Sequence, residues 1–102
     1  MKQIIEGKTY NTETANYLTN ASSSCGRSDF NYWDEDLYRT KRGTYFISGE
    51  GGPMSSWAES AGQNSWRGGS GIRVLTESEA REWVERWAND EYEEIFGLPE
   101  EG

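Results

Sequence analysis

At 102 residues the chain has room for one domain, 1–102, folded around one core. Only 33% of it is apolar, yet five Trp, six Tyr and three Phe supply area to bury, which argues against a disordered chain and for an aromatic core. The absence of histidine excludes His-based acid-base catalysis, Ser-His-Asp triads and the commonest transition-metal ligand, while a net charge of −8 weighs against free nucleic acid as the partner.

In chain order, Gln3-Ile4-Ile5 and Thr9-Tyr10 predict two short strands around a turn, and Asn11 predicts the cap of a short helix over Thr12 to Thr19. Asn20 to Ser28, with three consecutive serines and Gly26, reads as a loop. Asp36-Leu37-Tyr38-Arg39 and Thr44-Tyr45-Phe46-Ile47-Ser48 flank Thr40-Lys41-Arg42-Gly43 and predict a β-hairpin, with Gly43 supplying the positive φ of its turn. Gly49 to Gly71, rich in glycine, predicts a long structured loop with a helical turn near Met54 to Ser60, held to the core by Trp57 and Trp66.

Ile72-Arg73-Val74-Leu75 predicts a strand running into the best-marked helix. Thr76-Glu77-Ser78-Glu79 has the form of a capping box, and Ala80, Trp83, Val84, Trp87 and Ala88 follow at helical spacing. Asn89 restarts a cap for a second helix over Asp90 to Phe96, ended by Gly97 and Pro99. The expected fold is α+β: a small antiparallel sheet from the Ile4, Tyr10, Tyr38, Phe46 and Val74 regions, covered by a C-terminal amphipathic helix through Trp83 and Trp87, with a long Gly-rich loop.

Little of the sequence suggests catalysis. Cys25 lies near Arg27, a neighbour able to lower a thiol pKa, but a packed or loop cysteine is the simpler reading. A lone cysteine and no predicted export or membrane segment point to the cytoplasm. Gly49-Glu50-Gly51-Gly52 lacks the Gly-Lys-Ser/Thr ending of a phosphate loop. Asp34-Glu35-Asp36 lacks the further oxygen ligands of a calcium loop and reads as a solvated acidic strand end. No enzyme, cofactor or metal is expected.

The charge is unevenly spread. Residues 1–75 hold eight acids and eight bases, whereas residues 76–102 hold ten acids against Arg81 and Arg86. Glu77 with Arg81 and Glu82 with Arg86 are spaced as helical ion pairs, but Asp90, Glu91, Glu93 and Glu94 have no such partner. Glu79, Glu82, Asp90, Glu91, Glu93 and Glu94 are therefore the candidate partner-binding residues, spaced on successive helical turns to face a basic surface.

Lys8 to Ala15, Leu37 to Gly43, Gly49 to Gly52 and Glu79 to Trp83 together resemble a family of short acidic proteins of Gram-positive plasmids, conjugative elements and phages. The resemblance runs over nearly the whole chain. In size, acidity and lack of catalytic groups the chain is similar to the type II-A anti-CRISPR inhibitors found on such elements. The resemblance implies a non-enzymatic inhibitor in the host bacterial cytoplasm whose partner is a host protein with a basic surface, a type II-A CRISPR nuclease or its guide complex, with no membrane involved. An acidic helix would there occupy a channel built for phosphates. The alternatives are an interaction module for another basic host protein and, against the sign of the net charge, a hairpin at Arg39 to Arg42 that touches RNA.

Overall fold

The structure, a computed structural model, describes residues 1–23, 26 and 28–102, so the expectation for Cys25 lies outside the described residues. The chain runs β1 (Lys2–Ile5), β2 (Lys8–Asn11), β3 (Asn16–Ser22), β4 (Trp33–Arg39), β5 (Tyr45–Gly51), β6 (Glu59–Gly62), β7 (Ser65–Arg67), β8 (Gly69–Leu75), α1 (Glu77–Trp87), a 3₁₀ turn (Asn89–Glu91) and α2 (Tyr92–Phe96). Strands β3, β4, β5 and β8 form one antiparallel sheet in that order, and β1–β2 and β6–β7 are separate two-stranded hairpins. The fold is α+β, with the C-terminal helix on one face of the sheet.

Period-two alternation along each strand divides the sheet into a buried helix face and an opposite face that is buried over part of its length. On the helix face Ala21, Leu37, Tyr45 and Ile47 meet Trp57 and the Ala80, Trp83 and Val84 stripe of α1. On the other, Phe46 and Ile72 meet Tyr10, with Ile5, Ala15 and Tyr38 around them. Ile4 and Tyr10 thus belong to a hairpin lying over the main sheet and not to that sheet itself.

The helix expected over Thr12 to Thr19 is instead a single turn followed by β3. Asn11 does act as the sequence suggests: its Oδ1 accepts from the Glu13 amide at 2.9 Å, and its carbonyl from Thr14 and Ala15. The turn stops there because Tyr17 to Ser22 pair with β4, which would otherwise be an open edge, and Thr19 and Ala21 are buried by doing so. Strand β3 therefore also takes residues 20–22 from the expected loop.

The central hairpin forms as predicted. Thr40 N donates to Thr44 O at 2.8 Å, Gly43 N to Thr40 O at 2.9 Å, and Gly43 sits at φ +91°.

The glycine-rich stretch contains strand. Gly49 faces Gly71 and Gly51 faces Gly69 across β5 and β8, so that side chains are missing where Trp57 lies on the sheet. A Cβ at Gly49 would overlap the Trp57 ring. Gly49→Ala should cost about 1 to 3 kcal/mol by overpacking, read as a lower urea midpoint with an unchanged slope. Turns, not a helical turn, carry residues 53–57, with Ala58 N donating to Ser55 O at 3.2 Å, and β6 begins at Glu59. Trp57 reaches the core, but Trp66 is 63% exposed because β6 and β7 are exposed along their whole length.

Both capping-box bonds are present: Glu79 N donates to Thr76 Oγ1 at 3.1 Å, and Thr76 N to Glu79 Oε1 at 2.9 Å. Thr76→Ala should cost about 1 kcal/mol, measured as a lower thermal midpoint. Trp83 and Val84 are buried under α1 as expected, whereas Trp87 is 44% exposed. It lies at the end of the helix against the edge of Trp33, with ring centroids 4.8 Å apart, and so does not cover the sheet as Trp83 does.

Candidate partner-binding surface

The six acids singled out in the sequence do not form one row. Glu79 is held in the capping box, and α1 ends at Ala88, whose φ −141° and ψ 46° turn the chain away from the helix axis. The expected second helix over Asp90 to Phe96 divides into the 3₁₀ turn and α2, because Asn89 makes no cap; its Nδ2 donates back to Glu85 O at 3.1 Å. Glu82 is exposed on α1, and no described ion pair joins it to Arg86, whose guanidinium instead lies 4.8 Å from the Trp87 ring centroid.

Aromatic packing fixes where the rest of the acids lie. Phe96 meets Tyr45 and Tyr92, and Arg81 donates to the Tyr92 hydroxyl at 3.0 Å while its guanidinium pairs with Glu77 at 3.2 Å and covers the Phe96 ring. Glu85, Asp90 and Glu93 line a shallow cleft of about 340 Å³ with Asn89, Tyr92 and Pro99. Glu94 hydrogen-bonds the Glu91 carboxyl and, with its charge, lifts the Glu91 pKa above the ordinary 4.5; burial and the Asp90 charge add to the shift.

That shift has a sign for stability. A carboxyl raised in the folded state stabilises the fold below its ordinary value, and the contribution is lost as pH rises through the folded value. Glu94→Gln should bring the Glu91 titration midpoint down toward the ordinary range, as followed by carboxyl NMR.

The acidic surface extends beyond the C-terminal quarter. Asp34 and Asp36 point to the face of β4 opposite Glu35, each accepting from the Asn20 side-chain amide, at 2.6 and 2.7 Å. They line a cleft with Met1, Ser48, Glu50 and Ser70. Burial raises the Tyr17 pKa first, and then Asp36, Asp34 and Glu91 raise it further, so Tyr17 on the edge strand lies in the field of both acid groups. Arg39 lies three residues from Asp36 and five from Asp34 along β4, about 10 and 16 Å at strand rise, against a screening length of ~8 Å at physiological salt. The body is neutral in sum but not in its surface field.

Glu35, read from the sequence as part of a solvated run, is the buried member. It is 8% exposed, and its two oxygens accept from Trp57 Nε1 and Trp83 Nε1, each at 2.8 Å. The signal for it was present, since Trp33, Glu35 and Leu37 alternate with Asp34 and Asp36. Among the described residues, no group of three or more His, Cys, Asp or Glu is placed to hold a metal ion. No described helix is long and apolar enough to cross a membrane.

The arrangement is that of an α+β domain with two acidic areas on its surface, one at the C-terminal turns and one on β4. Compared with known protein families, curated proteins and solved structures, the chain matches none.

Proposed function

We propose that the chain is a non-catalytic inhibitor that binds a basic, nucleic-acid-binding surface of a bacterial host protein, an RNA-guided nuclease of type II-A, and interferes with its guide or target. The observation that carries this reading is the exposed set Asp90, Glu93 and Glu94, with Glu91 between them, which no described ion pair neutralises. Lysines or arginines of a partner would face these carboxylates, and such complementarity of charge speeds association and selects the partner. Glu85, Asp90 and Glu93 provide a concave seat beside the cluster, and Asp34 and Asp36 widen the negative field.

The nuclease, in particular, comes from the resemblance to small acidic proteins of mobile elements. Such nucleases hold guide and target in positively charged channels, a surface complementary in sign to this one. Binding should be faster at low ionic strength, because the screening length shrinks from about 10 Å at 0.1 M salt to about 3 Å at 1 M. The test is surface-immobilised nuclease, with and without guide RNA, titrated with the protein across that salt range. An association rate that falls with salt, together with competition by guide or target, supports the reading; no association with either form removes it.

A further inference from the structure

A cleft of about 580 Å³ lies between β2, the turn after it and the β4–β5 turn. Its lining holds Lys8, Lys41 and Arg42 with Thr9 and Thr44, and no Asp or Glu. Most other described cations are engaged: Arg67 pairs with Glu59, Arg81 with Glu77, and Arg39, Arg73 and Arg86 lie over aromatic rings. Among the described Lys and Arg side chains, Lys2, Lys8, Lys41 and Arg42 alone have neither an ion pair nor a ring contact, and three of these four line this one cleft.

Its position is fixed on both sides. Tyr10 anchors β2 on Phe46, with centroids 5.5 Å apart, and the Thr40 to Thr44 bonds hold the turn that carries Lys41 and Arg42. In that turn the amides of Lys41 and Arg42 donate to no described backbone or side-chain acceptor, so they add two donors beside the two side-chain charges. Three converging cations, threonine hydroxyls and free turn amides are the groups that recognise phosphate oxygens. The Tyr10 ring is buried and offers no stacking face, so recognition here rests on phosphates and not on bases.

We propose that this cleft binds the phosphates of a nucleotide or of a nucleic-acid strand, a second binding site that is independent of the acidic surface. The net charge of −8 governs long-range approach, but within a screening length the ligand meets the local charge of the cleft.

The full chain is titrated by calorimetry and by amide NMR with three probes: inorganic pyrophosphate, ATP and a short single-stranded RNA. Binding is expected, with shifts at Lys8, Thr9 and residues 41–44. ATP or pyrophosphate binding assigns a free nucleotide as the source, and binding of the RNA alone assigns a strand. For the RNA the log-log salt slope should be near −2, at about 0.7 per phosphate for three phosphates. Lys41→Glu with Arg42→Glu, both in an exposed turn, should weaken binding by about tenfold or more and flatten that slope. Lys8→Glu provides the same reading from the other wall. Reversal of Glu91, Glu93 and Glu94 to Lys should leave phosphate binding in place, so this site and the acidic surface stand or fall separately. No binding of any probe, or binding unchanged by the Lys41 and Arg42 reversals, overturns the proposal.

Discussion

Glu35→Ala is expected to destabilise the protein by about 3 to 5 kcal/mol, a large part of the roughly 5 to 15 kcal/mol that holds a domain of this size together. The carboxyl group of Glu35 joins three elements: it projects from β4, receives Trp57 from the excursion between β5 and β8, and receives Trp83 from α1. Removing it leaves two buried indole donors without an acceptor, each worth about 1 to 3 kcal/mol, and opens a cavity beside Leu37. Arg73, the nearby cation over the Trp57 ring at 3.8 Å, cannot compensate, because a guanidinium has only donors to offer and the indoles need an acceptor. Glu35→Gln keeps the volume but has one acceptor oxygen, so it should lose about half as much. Urea unfolding of the two variants measures the order; equal stability of Glu35→Ala and the wild type would mean that the indoles are satisfied without the carboxyl.

The second large effect concerns binding. Changing Glu91, Glu93 and Glu94 to Lys shifts the charge by two units at each position, so that −8 becomes −2, and places cations where the partner's cations are proposed to sit. Affinity for the partner should fall by about 10- to 100-fold, mainly through slower association if the contacts lie at the rim and faster dissociation if they are buried. The fold should survive. Glu93 and Glu94 are exposed, and the variant removes the repulsion that lifts the Glu91 pKa. Circular dichroism and the thermal midpoint provide that control.

What the sequence revealed was mostly local. The capping box at Thr76 and Glu79, the Gly43 turn and the Ala80, Trp83, Val84 stripe are each set by neighbours within a few residues, and each formed as read. Tertiary pairing overrode local signals elsewhere. Asn11 made its turn but β4 took Tyr17 to Ser22 as an edge partner, and the glycine-rich stretch became strand, with Gly49 and Gly71 under the Trp57 ring, Gly51 against Ser55 and Gly69 against Glu59. Glu35 was hidden by two flanking acids whose charge suggested solvent, although strand alternation turns it inward. The acidic site was legible in composition, not in arrangement. The break at Ala88 and the use of Glu79 in the cap separate residues that a continuous helix would have aligned, while Asp34 and Asp36 join the field only through the edge strand.

The central claim is that the acidic surface inhibits a nucleic-acid-binding host protein by competing for its basic surface. It is tested most directly by target cleavage with a type II-A RNA-guided nuclease and its guide, in the presence of the wild type or the Glu91, Glu93 and Glu94 reversal, at low and high salt. The wild type should suppress cleavage, more strongly at low salt and when added before the target, and the reversal should not. Equal potency of the two proteins without salt dependence, or no suppression by the wild type at any salt, would contradict the account.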